Sequence, residues 1–135
     1  MKTELKQGLG PRQKEWVATL KGGKYKQGKG TLQYRDARCC LGIACIVSGL
    51  EKYDAYSDTE KLLGDTLSTQ LQVKEYFKIK SEEGDFINEN GNFTEIKFDG
   101  EKYRSLTELN DDGKSFEEIA KVIEEHAHLI FEAPV

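Results

Sequence analysis

The chain has 135 residues, a length typical of one independently folding domain. It contains 20 Lys and Arg, 24 Asp and Glu, and 37% hydrophobic residues, which suffices for one modest core and argues against wholesale disorder. No apolar run approaches the roughly 20 residues of a membrane helix, so we expect no membrane partner. The first ten residues lack the apolar core of a signal peptide, and three cysteines are an odd number. We therefore expect reduced thiols and a cytoplasmic protein.

The net charge of −4 conceals two oppositely charged parts. Residues 1–50 hold 10 Lys and Arg against 3 Asp and Glu, a net of +7, whereas residues 51–135 hold 10 against 21, a net of −11. Two interpretations are open. The parts can neutralise each other across the folded domain, or the first part can offer a basic surface to an anionic ligand.

The first predicted element is a helix over residues 11–21. Pro11 suits a first turn, and Gly22-Gly23 supplies a stop. The spacing of Trp16, Val17 and Leu20 places these three side chains on one face, which we expect to lie in the core.

Residues 31–50 predict a strand followed by a buried element. Residues 31–36 alternate with a period of two, typical of a half-buried strand, and residues 35–38 indicate a tight turn or loop. The run CLGIACIVSGL over residues 40–50 predicts either a short helix ended by Gly49 or a core strand, because periodicity does not separate the two.

The middle of the chain carries weaker signals. Residues 51–66 predict a surface connection with one helical turn at most, and residues 67–79 predict a helix of two to three turns. Residues 86–98 predict a hairpin turning at Asn90-Gly91, and Asp99-Gly100 indicates a second turn.

The C-terminal part predicts two capped helices. Ser105 caps a short helix that ends at Asp112-Gly113, and Ser115 with Glu118 forms a capping box for the last helix. An apolar stripe on that helix comprises Phe116, Ile119, Ala120, Val122, Ile123, Ala127 and Ile130. The pair has the spacing of a helix-turn-helix, but four glutamates against one lysine over residues 116–125 would repel phosphates. We expect a structural pair and no binding to duplex DNA.

The cysteines and histidines form no recognisable catalytic or metal-binding pattern. Cys39, Cys40 and Cys45 do not have zinc or iron–sulfur spacing, and His126 and His128 are two apart on a helix, a poor metal pair. A cysteine at a helix N-terminus could act as a nucleophile if a histidine approached it, but buried structural thiols are the favoured interpretation. We expect no metal, no cofactor and no catalytic residue.

The segment KGGKYKQGKG at residues 21–30 is the best functional candidate. Its glycines can present backbone N–H groups to an anion, lysines add charge, and tyrosines offer stacking surfaces. It is not a Walker loop, since Gly30 stands where a hydroxyl is required. The same pattern is also typical of a solvent-exposed edge strand whose lysines oppose edge-to-edge aggregation. The candidate ligand-binding residues are Lys24, Tyr25, Lys26, Gln27, Lys29, Tyr34, Arg35, Arg38, Asn110 and Asp111. The lysines and arginines, Arg38 included, would neutralise phosphates, a tyrosine would stack on a base, and Asn110 and Asp111 would read ribose hydroxyls or base edges.

Three segments together resemble a family of small phage and prophage proteins. They are WVATLKGGKYKQGKGTLQYRDARCCLGIACIVSG (16–49), LQVKEYFKIKSEEGDF (71–86) and SLTELNDDGKSFEEIAKVIEE (105–125). The shared motifs are KYxQGxGxL, CCLG and LNDxGxSFxxIA. The resemblance implies a viral or mobile-element origin, where small cytosolic proteins often blunt host defence, and it supplies no catalytic residues.

The sequence therefore predicts a single α+β domain over residues 1–135. A basic helix–strand segment at about 11–50 precedes an acidic part at about 67–130, and short antiparallel hairpins pack with N-terminal, central and C-terminal helices. The leading functional hypothesis is a homo-oligomeric, non-enzymatic protein that sequesters an anionic nucleotide immune messenger, of cyclic or ADP-ribose type, in the host cytosol. Alternatives are an inhibitor that docks a host protein through its acidic surface, and a small hydrolase.

Overall fold

The described part of the chain, residues 8–53, 62 and 64–135 of a computed structural model, contains six α-helices and five short strands. The helices are α1 (Pro11–Lys21), α2 (Cys40–Ser48), α3 (Leu71–Phe77), α4 (Leu106–Asp111), α5 (Phe116–Glu125) and α6 (Ala127–Ile130). The strands are β1 (Lys26–Gln27), β2 (Gln33–Tyr34), β3 (Ala37–Arg38), β4 (Ile96–Phe98) and β5 (Glu101–Tyr103). This arrangement confirms the predicted α+β domain.

Helix α1 forms where Pro11 and Gly22 predict it. Pro11 occupies the first turn and Gly22 is the C-cap. Trp16, Val17 and Leu20 are buried as predicted, on the face that packs against α5 and α2. The indole N–H of Trp16 donates to the carbonyl of Cys40 at 3.1 Å, so the largest core side chain also holds the start of α2 in place.

Residues 40–48 form a helix, which decides between the two structures that the sequence leaves open. Gly49 ends α2 in the left-handed conformation, at φ 70°, which glycine adopts without steric cost. Gly42 serves close packing instead. A Cβ built there would lie 2.0 Å from the carbonyl oxygen of Leu32, so only glycine lets the strand segment approach α2 this closely.

The first sheet has the strand order β1-β3-β2, with β1 parallel and β2 antiparallel to β3. The predicted strand at 31–36 is shorter than expected and covers residues 33–34. The prediction of a loop over residues 35–38 is wrong in its second half, because Ala37–Arg38 pairs with both neighbouring strands. The turn is confined to Arg35-Asp36, where Arg35 has φ 56°.

The central helix is interrupted near its start. A 3-10 helix at Leu67–Thr69 ends at Gln70, whose φ of −130° and ψ of 51° break the predicted continuous helix before α3 begins. The Gln70 side chain is buried and bonds both backbone groups of Lys52 at 2.8 Å. Most of the predicted connection at 51–66 lies outside the described residues, apart from a bridge between Tyr53 and Leu62.

The predicted hairpin around Asn90-Gly91 exists, with a longer loop than a two-residue turn. The N–H of Asn88 donates to the carbonyl of Asn92 at 2.9 Å, so three residues form the loop. Ile87 and Phe93 form an antiparallel bridge beside it. The second predicted turn, Asp99-Gly100, joins β4 to β5 as expected.

The C-terminal helices have the predicted caps. The Ser105 hydroxyl accepts from the N–H of Glu108 at 3.0 Å, and Ser115 and Glu118 form the capping box. The predicted stripe is buried at every position, but it spans two helices because the chain breaks at His126. Within the described ranges, no helix is long and apolar enough to cross a bilayer.

Candidate functional site

The sheet formed by β1, β2 and β3 presents two rows of side chains. Lys26, Ala37 and Tyr34 are aligned partners across the three strands, and Gln27, Arg38 and Gln33 form the adjacent row. Because aligned residues of neighbouring strands point to the same side of a sheet, the two rows face in opposite directions.

The first row faces outward. Lys26 is exposed, Ala37 is half-buried and Tyr34 is 60% exposed. Two strand spacings separate Lys26 from Tyr34, about 10 Å, and the small Ala37 lies between this cation and this aromatic ring. The guanidinium of Arg35 lies 5.4 Å from the Tyr34 ring centroid. Asp36 approaches Lys26 at 3.8 Å in an exposed ion pair.

The second row is fastened to the protein. Gln27 donates to Asn110 at 2.9 Å and to the Lys114 carbonyl at 2.7 Å. The amide oxygen of Gln33 accepts from the N–H of Leu62 at 2.8 Å. These bonds fasten the inward row to Asn110 of α4, to Lys114 and to Leu62.

Arg38 belongs to this inward row and is not the open phosphate ligand that the sequence predicts. Its guanidinium is largely buried, lies 2.8 Å from the carboxylate of Glu51 and also donates to the Gly42 carbonyl at 3.2 Å. A phosphate would have to displace Glu51, so we leave Arg38 out of the site. Glu51 is 13 residues away in the sequence, and no local pattern signals this pairing.

Asn110 is also a structural residue. It is fully buried, its side-chain oxygen accepts from Gln27 and from the N–H of Cys40 at 3.1 Å, and its amide donates to the Gly28 carbonyl at 2.7 Å. Cys39, the N-cap residue of α2, makes no side-chain cap, so Asn110 supplies that cap from α4. All its contacts are internal, and the predicted role in reading ribose or base groups finds no support in this geometry.

Asp111 and Lys29 lie at the opposite end of the glycine segment. The Asp111 carboxylate accepts from the N–H of Gly30 at 2.9 Å, so it uses a backbone donor that the sequence assigns to an anionic ligand. The Lys29 ammonium lies against Gly113, in the turn between α4 and α5. Lys29 is exposed and remains available to a ligand, whereas the loop backbone is already partly satisfied by the protein.

Lys24 and Tyr25 complete the set. The Lys24 ammonium lies 5.4 Å from the Tyr25 ring centroid, and Tyr25 packs against the core. The ten predicted residues differ in solvent exposure. Six are exposed, namely Lys24, Lys26, Lys29, Tyr34, Arg35 and Asp111. Three are half-buried, namely Tyr25, Gln27 and Arg38, and Asn110 is buried. Sequence reasoning missed Ala37, which lies between Lys26 and Tyr34 in this row and is recognised only once β3 is known to be a strand.

The three cysteines lie in the core as free thiols. Burial raises the pKa of Cys39 to about 11 and that of Cys45 to about 12, and it raises the pKa of Cys40 as well. At neutral pH all three are protonated and lack the thiolate that a nucleophile or metal ligand requires. Among the described residues, no group of three or more His, Cys, Asp or Glu is arranged to hold a metal ion.

An acidic depression of about 430 Å3 lies between α4 and the turn at Glu83, and Asp111 is one of its lining residues. Its walls include the carboxylates of Glu83, Glu108, Asp111 and Asp112. Tyr103 donates to Asp112 at 2.5 Å, and this bond raises the pKa of the phenol. The sequence predicts an acidic second part, but only the fold brings Glu83, which lies in a turn, beside the three carboxylates at α4, so that the four share one wall.

Comparison with known proteins identifies the family and nothing closer. The model of a domain of unknown function, DUF8296, matches residues 1–127, so the chain belongs to that family. No curated protein and no solved structure matches the chain.

Proposed function

We propose that this DUF8296 chain is a non-enzymatic binding protein that sequesters a small anionic nucleotide on the outward row of its first sheet. The resemblance to phage proteins extends the proposal to its biological role. The ligand is an immune messenger of cyclic or ADP-ribose type, and its stoichiometric capture in the host cytosol blunts a defence response.

The observation that carries the proposal is the pairing of Lys26, Ala37 and Tyr34 across three strands. A base stacks on the exposed ring of Tyr34, a contact that tolerates any base and contributes about 1–3 kcal/mol. The Arg35 guanidinium beside the ring adds a planar cation. Lys26, on the far side of β3 from Tyr34, receives a phosphate, with Lys24 and Lys29 nearby in the chain.

The inward row supports the same proposal. Since Gln27 and Gln33 are hydrogen-bonded to the protein, the short strands are held in position before a ligand arrives, which lowers the ordering cost of binding. Lys26 and Tyr34 are exposed on an open surface, and a protein that competes with a receptor needs a more enclosed site. A second copy that covers this row would provide that enclosure, so we include a homo-oligomer in the proposal.

The test is a thermal-shift panel of cyclic nucleotides and ADP-ribose isomers, followed by titration calorimetry and recovery of the ligand. We expect one class to raise the melting temperature and to be recovered intact. Tyr34→Ala and Lys26→Gln should each weaken binding about tenfold, since each removes a contact worth about 1.4 kcal/mol or more. Lys102→Gln, an exposed lysine on the second sheet, is the matched control and should bind as wild type.

A variant that binds the nucleotide more tightly provides a second test of the role of Lys26. Asp36 competes with a phosphate for Lys26, so Asp36→Asn should tighten binding by a few fold. The proposal fails if no nucleotide shifts the melting temperature, or if the Lys26 and Tyr34 variants bind as well as wild type. Recovery of a converted product would instead establish an enzyme.

The acidic depression favours a second candidate function, an inhibitor that docks a basic host protein. Four carboxylates on one wall complement a cluster of lysines or arginines, and such surfaces accelerate association. A Glu83→Gln/Glu108→Gln variant that loses a captured host protein, while nucleotide panels give no shift, would select this function over sequestration. Glu117→Gln/Glu124→Gln on α5 is the control with the same change in charge.

A further inference from the structure

A groove of about 500 Å3 lies between the first turn of α1 and helix α3, and it contains no residue of the three-stranded sheet. Its volume falls in the range of small-molecule sites. Arg12 and Lys78 contribute cations, Glu75 contributes an anion, and Leu50 and Leu71 contribute apolar surface. Neither the family nor the proposed nucleotide site accounts for this combination.

Arg12 is held in place on the groove wall. Its guanidinium lies 4.2 Å from the Tyr76 ring centroid and donates to the Tyr76 carbonyl at 3.2 Å. A stacked guanidinium keeps its remaining N–H donors in one plane, the geometry that binds a carboxylate through two parallel hydrogen bonds. Among the described residues, no carboxylate forms an ion pair with Arg12.

The second cation of the groove is already neutralised. Lys78 bonds Glu75 at 2.5 Å, and this bond, with the charges of Glu75 and Glu132, raises the pKa of the Lys78 ammonium. Among the described residues, Arg12 is therefore the groove cation that has no ion-paired carboxylate. A single available guanidinium matches a ligand with one negative charge better than a doubly charged phosphate.

The apolar part of the groove is unusually exposed for such side chains. Leu71 is 59% exposed and Leu50 is 40% exposed, and covering them with an apolar group would remove that surface from water. We propose that the groove binds a small monocarboxylate with an apolar body, its carboxylate on Arg12 and its body on Leu50 and Leu71.

The experiment titrates 4-phenylbutyrate and its neutral amide into the full chain and follows the methyl signals of Leu50 and Leu71 by NMR. We expect saturable shifts of both leucines with the carboxylate and at least tenfold weaker binding of the amide. Arg12→Gln should weaken the carboxylate at least tenfold and the amide less than twofold. Lys14→Gln, an exposed cation on the same helix outside the groove, should leave both affinities unchanged.

Several results would overturn this assignment. They are equal binding of carboxylate and amide, no shift of either leucine up to the solubility limit, or equal losses in the Arg12 and Lys14 variants. Leucine signals that change with protein concentration alone would show that a second copy covers the groove. Because the sheet residues do not take part, failure of the nucleotide panel leaves this test intact.

Discussion

Replacing Asn110 separates a structural role from a ligand-reading role. In the folded protein this buried side chain accepts from the N–H of Cys40, donates to the carbonyl of Gly28, and accepts from Gln27. Asn110→Ala removes all three bonds at once. Gln27 keeps a second acceptor, the Lys114 carbonyl, so two backbone groups lose their side-chain partner, the buried Cys40 N–H and the partly buried Gly28 carbonyl.

A buried polar group that loses its partner costs about 1–3 kcal/mol, and a partly buried one costs less because water can reach it. We therefore expect Asn110→Ala to lower the free energy of unfolding by about 1–4 kcal/mol, a substantial part of the roughly 5–15 kcal/mol that stabilises a domain of this size. The control is Asp111→Ala, the next residue, which is exposed and gives up one bond to the N–H of Gly30. We expect that change to cost about 1 kcal/mol or less.

Urea denaturation followed by Trp16 fluorescence provides the measurement, because Trp16 is buried and bonded to Cys40 at the start of the same helix. A loss below about 1 kcal/mol for Asn110→Ala, or equal losses for Asn110→Ala and Asp111→Ala, would refute the structural role. Loss of nucleotide binding with unchanged stability would instead restore the ligand-reading role that the sequence suggests.

Two further predictions concern the core. Gly42→Ala should destabilise the protein by more than about 2 kcal/mol despite alanine's better helix propensity, because the new Cβ would lie 2.0 Å from the Leu32 carbonyl oxygen. The control is Gly22→Ala, whose Cβ would have its nearest contact at 3.4 Å, and this variant should be nearly neutral in the same urea titration. The native thiols should react with a disulfide reagent at pH 8 at least about a hundredfold more slowly than in urea, because burial raises the pKa of Cys39 to about 11 and of Cys45 to about 12. Cys39 and Cys45 hold their protons more tightly in the folded state, so the free energy of unfolding should fall as pH rises from about 9 towards 12. The fall should be less steep in Cys45→Ala. A free energy of unfolding that does not change over this range would contradict the raised pKa values of the buried thiols.

The parts of the fold that the sequence predicts are those with local causes. Pro11 and Gly22 bound α1, and Ser105 and Ser115 cap α4 and α5, since each acts on backbone within four residues of itself. The errors have distant causes. Ala37–Arg38 is a strand because β1 and β2 flank it, and the helix before α3 breaks at Gln70 because that side chain bonds Lys52, 18 residues away.

The candidate site follows the same division. The sequence identifies the basic, glycine-rich segment, but it does not show which side of the strands each cation faces. Arg38 and Lys26 are both cations of the same basic segment, and the sequence alone does not show which of them is exposed. Only the pairing of β3 shows that Arg38 points inward to Glu51 and Lys26 outward to solvent.

The sequence motifs KYxQGxGxL and LNDxGxSFxxIA have a structural explanation. In KYxQGxGxL, Gln27 and Gly28 bond Asn110, and Gly30 bonds Asp111, which are themselves the two polar letters of LNDxG. The motifs therefore describe how the loop is fastened to α4. Lys26 and Lys29 occupy the unspecified positions between them, and Tyr34 lies beyond the motif. A sheet fastened from one side can change its outward side chains without disturbing that framework, so substitutions at Lys26 or Tyr34 should leave the fold unchanged.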